Sequence, residues 1–338
     1  MQIAFFGAKP WEKEFLTTAI KNQIPDNEPV FYDEILDKDH LPEQKDFEVI
    51  SVFVDSTVDA TVIDDFPNLK LITARSTGYD NVDLNKCKEK NIAVATVPSY
   101  GEETVAEYAF ALILSLSRKV SKSFDQIRET GSFNLEGMSG FDLQGKTLGV
   151  VGTGKIGRNV IRIAKGFEMN VIASDNFPNE EAAKTLGFSY YPLNELLAKS
   201  DIVTLHVPYL KETHHLINEQ TLDQMKLGAY LINTSRGPVV ETEALVKALK
   251  NGQLAGAGLD VLEEEGIIKD ELDFIVSGHP EEHNLRAALA NHVLIDMPNV
   301  IITPHNAFNT REALQRILQT TVDNIKAFQS GAPTNLAK

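Results

Sequence analysis

The sequence predicts an α/β protein built from two doubly wound parallel-sheet domains, and three observations carry that expectation. Short apolar runs alternate with amphipathic stretches along most of the chain, as parallel strands do when crossover helices bury them on both faces. One strand-to-helix junction holds Gly152-Thr153-Gly154-Lys155-Ile156-Gly157, a glycine spacing suited to a phosphate-binding turn. At 338 residues the chain exceeds the ~250 to 300 residues at which single cores stop growing.

Composition narrows the class. A chain 43% hydrophobic and 24% charged is that of a globular protein with a sizeable core. The net charge of -16 disfavours nucleic-acid backbones and anionic membranes as partners, and an anionic substrate would need a local basic cluster. Cys87 is the one cysteine, which excludes an intramolecular disulfide and a multi-cysteine metal site. Between Lys86 and Lys88 it reads as a helix residue without chemistry. The start is apolar only as far as Gly7, with no basic opening and no cleavage signal, so no signal peptide is expected. No apolar run approaches the ~20 residues of a membrane span, and the expected location is the cytoplasm.

In the first part, strands are expected at 2–6, 48–54, 69–74 and 92–96, with helices near 11–21, 58–65 and 84–90 between them. Gly7-Ala8-Lys9-Pro10 lacks the later glycines of a phosphate loop and reads as a turn opening a helix. Ser76-Thr77-Gly78 follows a strand, where sheets of this kind bind ligands. Residues 102–118 favour a helix that is apolar on much of its circumference, through Val105, Ala106, Ala109, Phe110, Leu112, Ile113 and Leu116. Such a helix is buried between layers or subunits, and a domain connection is expected here. Residues 128–145, punctuated by glycine and carrying Phe133 and Phe141, read as an irregular arm.

The central stretch is the most specific. A buried strand at 148–151 leads into Gly152, which permits the tight turn. Gly154 lets a pyrophosphate approach the backbone, and Gly157 lets the helix at 156–166 pack on the strand. That helix directs its N-terminal amides and dipole at the phosphate. A strand at 170–174 ends in Asp175, about twenty residues on, where a carboxylate accepts from a ribose and repels a ribose phosphate. The cofactor expected is therefore NAD, not NADP.

Strands at 202–206, 229–233, 255–259 and 300–302, with helices at 179–186, 193–199, 219–225 and 242–251, complete that sheet. The last helix, 310–329, has no sheet left to extend and is expected to return to the first domain. The expected division is 1–100 with 307–338, and 101–306. Each later strand ends in a polar or turn-forming cluster: His206-Val207-Pro208, Thr234-Ser235-Arg236-Gly237, Asp260, and Pro304-His305-Asn306. Their common place after strands puts them around a nicotinamide.

The combination VGTGKIG, HVP, NTSRGPVV, AGLDVLEEE and PNVIITPHNAF resembles the D-isomer-specific 2-hydroxyacid dehydrogenases. ARSTGYDNVDL, VPSYGEETVAEYAFALILSLSR and SFNLEGMSGFDLQGKTLGVVGTGKIG look most like the D-lactate dehydrogenase branch. The resemblance implies a flavodoxin-like substrate domain plus a Rossmann NAD-binding domain, and a homodimer formed through the cofactor domains. It implies that Arg236 holds the substrate carboxylate and keto oxygen, that His305 is the acid/base and that Glu265 pairs with His305. The chemistry agrees, because reducing a 2-keto acid needs a bidentate cation, a proton donor titrating near neutrality and a hydride.

By the same resemblance Lys155, Ile156, Val207, Pro208, Thr213, Thr234, Ser235 and Asp260 belong to the cofactor site with Arg236 and His305, while Ser76 and Gly78 offer amides to the carboxylate. Tyr100 and Phe308 would bound the side-chain pocket, and two aromatics suit a methyl group, hence pyruvate. A larger or more polar 2-hydroxy acid is the alternative within the class, and a non-catalytic NAD-binding regulator the alternative outside it. Glu265 is selected by family spacing from Asp260, with Glu263 or Glu264 expected to be solvated surface. Gly266 stands where the family commonly has proline, and a long segment, 267–298, precedes the last strand. His214-His215 reads as part of a polar turn. His279 and His283 lack the order of a helical zinc pair, and no metal is expected.

Overall fold

The structure is a computed structural model and describes residues 1–265 and 285–337. Among these residues the chain forms two compact units, one of residues 1–101 with 309–338 and the other of residues 102–308. The first holds a parallel sheet of β1 (Ile3–Phe6), β2 (Pro29–Tyr32), β3 (Val49–Val52), β4 (Leu71–Ala74) and β5 (Ala93–Ala95), in the order β2-β1-β3-β4-β5. That is the flavodoxin-like order, with the strand sequence reversing between β1 and β3.

Successive strand side chains point to opposite faces, and both faces of this sheet are covered. Ile3 and Phe5 pack with Leu16 and Ile20 of α1 (Pro10–Gln23) and with Leu318, Val322 and Ile325 of a C-terminal helix, Arg311–Gln329. Ala4 and Phe6 pack on the other side with Val62 and Ile63 of α2 (Ala60–Asp64) and Cys87 of α3 (Leu84–Glu89). Strands β1, β3 and β4 are accordingly buried at every position. Gly7 closes β1 at φ +64 and Pro10 opens α1, so 7–10 is the turn the sequence suggests.

The second unit begins with α4 (Glu102–Arg118) and α5 (Val120–Thr130). Its sheet runs through β6 (Thr147–Val151), β7 (Asn170–Ser174), β8 (Ser189–Tyr190), β9 (Ile202–Leu205), β10 (Ala229–Asn233), β11 (Leu254–Leu259) and β12 (Val300–Ile302). The order is β12-β11-β10-β9-β6-β7-β8, parallel throughout. Counted from β6 this is the dinucleotide-binding order with a seventh strand added, and direction reverses between β6 and β9. Between the strands lie α6 (Lys155–Gly166), α7 (Glu180–Leu186), α8 (Leu193–Lys199), α9 (Glu219–Asp223), α10 (Thr242–Lys250) and α11 (Leu285–Ile295); the C-terminal helix is α12. Ala106, Ala109, Phe110 and Ile113 of α4 share a core with Leu148 and Val150 of β6 and Val160 and Ile161 of α6.

Four elements depart from the sequence reading, one of them β8, a two-residue edge strand. β2 is a short edge strand opened by Pro29 and only half buried, so neither alternation nor a long apolar run marks it. α5 occupies residues 120–130, of which the sequence reading covered only 128–130, as the start of the irregular arm, and none of its residues is buried. α11 forms within 267–298; Gly266, His279 and His283 lie outside the described residues. No helix among the described residues is long and apolar enough to cross a membrane.

Candidate active site

The carboxyl ends of β6, β7, β9, β10, β11 and β12 carry the polar clusters. After β6, Gly152 has φ +92, and a Cβ there would lie 2.6 Å from the His206 carbonyl oxygen. At Gly157 a Cβ would lie 2.0 Å from the Gly152 oxygen, so both glycines are demanded by the fold itself. Gly154 differs: a Cβ there would meet nothing within 4 Å. It is also the N-cap of α6 and offers no side-chain cap, which leaves first-turn amides for an anion.

Asp175 follows β7. One carboxylate oxygen accepts from the Thr153 amide at 2.6 Å and the Thr153 hydroxyl at 2.9 Å, and the other from the Phe177 amide at 2.8 Å. A carboxylate has about four acceptor positions, so one remains for a ribose hydroxyl. Lys155 is ion-paired with Glu102 at 3.0 Å, and Ile156 packs against the α4 core.

In the loop after β9 the Thr213 hydroxyl donates to the Pro208 carbonyl at 2.7 Å and accepts from the Leu210 amide at 2.7 Å. That closes the turn beyond Val207, whose Cγ1 would lie 3.0 Å from a Cβ on Gly152. His206 keeps some surface in solvent, yet its Nδ1 is sealed without a partner among the described residues and its Nε2 lies 2.9 Å from the Thr204 hydroxyl. Burial lowers this imidazole to a pKa of about 3, so it stays neutral at ordinary pH.

After β10, Asn233 organises the turn. Its side-chain oxygen accepts from the Ser235 amide and hydroxyl at 3.0 and 2.8 Å, and its amide donates to the Arg236 carbonyl at 2.9 Å. The Arg236 guanidinium is half buried and donates to the Ser235 carbonyl at 2.8 Å. The Thr234 hydroxyl is buried, with no hydrogen-bond partner among the described residues.

Asp260, 1% exposed, follows β11. Its carboxylate accepts from the Thr303 hydroxyl at 2.6 Å and from the Asn306 and Ala307 amides at 2.8 Å each. Burial raises its pKa, against the opposing pull of those hydrogen bonds. The backbone of His305, at φ +51, donates to the Asp260 carbonyl at 2.8 Å, so Asp260 shapes the turn that presents the imidazole. His305 Nδ1 then meets Glu265 Oε1 at 2.9 Å. With the carboxylate ionised, Nδ1 carries the hydrogen, which directs the Nε2 lone pair or proton elsewhere. The Phe308 ring stands edge-on to His305 with centroids 6.4 Å apart.

Glu263 corrects the expectation of a solvated side chain. It is 8% exposed and accepts from His215 Nε2 at 2.7 Å, the Thr242 amide at 2.8 Å and the Thr242 hydroxyl at 2.6 Å. His215 is thus more than a polar-turn residue. Glu264, like Glu265, is partly exposed, and it holds φ +51.

In the first unit, the Ser76 hydroxyl donates to the Gly78 carbonyl at 2.6 Å, and Thr77 donates to the Val97 carbonyl at 2.8 Å. Arg75, passed over in the sequence, is 1% exposed and donates to the Ser51 and Phe6 carbonyls at 3.1 and 2.7 Å. Burial lowers its pKa to about 10, so it remains charged at neutral pH. Tyr100 is half buried, and its carbonyl accepts from Arg316 at 2.6 Å. Among the described residues no group of three His, Cys, Asp or Glu side chains could hold a metal ion.

An open glycine turn and an uncapped helix at the strand-order reversal, with a carboxylate at the end of the neighbouring strand β7, define a dinucleotide-binding α/β protein, and these residues fit NAD. Residues 110–307 match the family described as D-isomer specific 2-hydroxyacid dehydrogenase, NAD binding domain. The chain is 35% identical to the D-lactate dehydrogenase of Escherichia coli, over 98% of each chain. It is 36% identical to the glyoxylate reductase of Korarchaeum cryptofilum, over 98% of this chain and 92% of that one. The crystal structure of D-lactate dehydrogenase from Aquifex aeolicus, complexed with NAD and lactic acid, superposes with a TM-score of 0.86 at 38% identity, covering 98% of this chain and 96% of that one. The chain belongs to the D-isomer-specific 2-hydroxyacid dehydrogenases, and its cofactor is NAD.

Proposed function

We propose that the protein reduces pyruvate to D-lactate, reversibly, with Arg236, His305 and Glu265 as the working residues. The observation that carries this is the Glu265–His305 hydrogen bond of 2.9 Å, a carboxylate-backed imidazole at the carboxyl edge of a dinucleotide-binding sheet. Bound nicotinamide supplies or accepts the hydride. Arg236 binds the substrate carboxylate and draws electron density toward the keto oxygen. His305 gives its proton to the forming alkoxide, and Glu265 stabilises the imidazolium that precedes this step. In the reverse direction neutral His305 takes the hydroxyl proton. Residues 1–100 with 307–338 act as the substrate domain, with Ser76 and Gly78 amides for the carboxylate and Tyr100 and Phe308 around the methyl group; residues 101–306 act as the cofactor domain. The test is NADH consumption with pyruvate, glyoxylate, 2-ketobutyrate and 2-ketoisocaproate. Pyruvate should give the highest kcat/KM, and a clear preference for another acid would overturn the substrate assignment.

Asp175 is assigned to the adenosine ribose. Asp175→Asn keeps an acceptor for the Thr153 amide but removes the charge that repels a 2′-phosphate. The preference for NADH over NADPH, read as the ratio of kcat/KM, should fall at least fivefold. An unmoved ratio would free Asp175 from that role.

The active form is a homodimer closed through the cofactor domains. Val120, Phe124 and Ile127 of α5 are 54%, 62% and 45% exposed and recur along one face, and Phe133 and Leu135 beyond it are more exposed still. A contiguous apolar stripe of this kind suits a second copy of the chain. Sedimentation should give a dimer and Phe124→Lys with Phe133→Lys a monomer; a wild-type monomer at micromolar concentration would refute it. We place the enzyme in the cytoplasm, where a single unpaired cysteine is ordinary; cell fractionation that put it with membranes would reverse this.

A further inference from the structure

We propose that Glu263 and His215 form a positioning pair that aims Glu265 at His305. The inference rests on the catalytic reading of Glu265 and His305 given above. Glu263 is fixed at both ends: its carboxylate takes hydrogen bonds from His215 and Thr242, and its backbone carbonyl accepts from the Asn291 side chain of α11 at 2.5 Å. Immediately after this fixed point the chain passes through Glu264 at φ +51, a left-handed conformation unfavourable for a non-glycine residue. Glu265 then reaches His305. A turn of that kind persists only where its surroundings over-determine it, and the buried Glu263 carboxylate supplies the determination.

The same carboxylate reaches the substrate-binding side. Thr242 begins α10, whose approach runs from Arg236 through Gly237 and Val239. His215, at φ +49, also holds this segment through its backbone, its amide donating to the Pro238 carbonyl at 2.8 Å. At Gly237 a Cβ would lie 2.0 Å from the Leu262 carbonyl carbon and oxygen, so the segments after β10 and β11 are in direct contact. Glu263 therefore links the segment carrying Arg236 to the turn carrying Glu265. Breaking its bonds should loosen Glu265 and leave the glycine turn at 152–157, whose tight contacts are with His206 and Val207 and within the turn itself, in place.

A double-mutant cycle separates positioning from mere support of the fold. Glu263→Ala should lower kcat with pyruvate about tenfold or more in the wild-type background, with KM for NADH changed less than twofold. In a Glu265→Gln background the same change should cost less than about threefold, because the group it aims is already disabled. Equal losses in both backgrounds, or no loss in the first, would overturn the proposal. If Glu263→Ala does not fold, His215→Leu carries the same cycle, and His215→Gln, whose amide can replace the Nε2 donor, should restore activity. A readout independent of turnover is the titration of His305 by NMR, whose midpoint should move to lower pH in His215→Leu and return in His215→Gln. An unmoved midpoint refutes positioning even if no 2-keto acid is turned over, whereas a wild-type protein inert toward all 2-keto acids with the midpoint moved refutes only the substrate reading.

Discussion

Arg236→Lys should lower kcat/KM for pyruvate by on the order of a hundredfold while leaving NADH affinity nearly unchanged. The substitution keeps the charge, so long-range attraction of the anionic substrate survives. What it removes is the planar fork that makes two parallel hydrogen bonds to a carboxylate. Losing one charge-assisted bond costs about 1.5 to 3 kcal/mol, which is roughly a ten- to 150-fold effect. The site limits any adjustment by lysine, because the Arg236 backbone is held through the Asn233 amide and Gly237 is pressed against Leu262. Steady-state kinetics with a fluorescence titration of NADH would decide the matter. Near-normal kcat/KM would take Arg236 out of the substrate site, and a parallel loss of NADH affinity would mean that Arg236 serves chiefly the cofactor or that the β10 turn itself had collapsed.

The fold was legible wherever burial is two-sided. β1, β3 and β4 are buried at each position, so their apolar runs stand out from the amphipathic helices around them. The glycine turn was legible because Gly152 and Gly157 answer to steric limits within a few residues of sequence. β2 and α5 were not, since each lies where the chain leaves it half covered or uncovered. In α5 the signal was present in the spacing of Val120, Phe124 and Ile127, but an apolar face left exposed among the described residues gives no core against which to read a helix.

The site divides along the same line. Residues placed by position after a strand, such as Arg236 and Asp260, can be read from local sequence, whereas Glu263 cannot be distinguished from Glu264 or Glu265 by residue type. What separates the three is a bond to His215, 48 residues away, and one to His305, 40 residues away from Glu265. Asn233 and Arg75 were missed for a related reason: their bonds go to backbone groups and to a neighbouring strand, and nothing in the local sequence marks a polar side chain as a scaffold.

His305→Asn should reduce pyruvate turnover by about 10²- to 10⁴-fold, the range associated with losing a general acid, and should abolish the pH limb attributed to the imidazole. Asparagine is the substitution of choice because position 305 has φ +51, a conformation asparagine tolerates better than most residues, so the loss reports chemistry more than backbone strain. In the wild type, reduction requires the protonated imidazole, and kcat/KM for pyruvate should fall as pH rises through the limb. Lactate oxidation requires the neutral form and should rise over the same interval. Glu265→Gln keeps a hydrogen-bonding side chain 2.9 Å from Nδ1 in the wild-type geometry but removes the charge that favours imidazolium. The falling limb for reduction should therefore move to lower pH in Glu265→Gln and disappear in His305→Asn. The measurement is kcat/KM against pH in both directions for the three proteins, with a deuterium isotope effect from 4-deuterated NADH to show that hydride transfer limits the rate. Should His305→Asn retain the same limb at reduced amplitude, another group is the proton donor. A limb that stays in place in Glu265→Gln would leave His305 as the acid and make its carboxylate contact one of orientation alone.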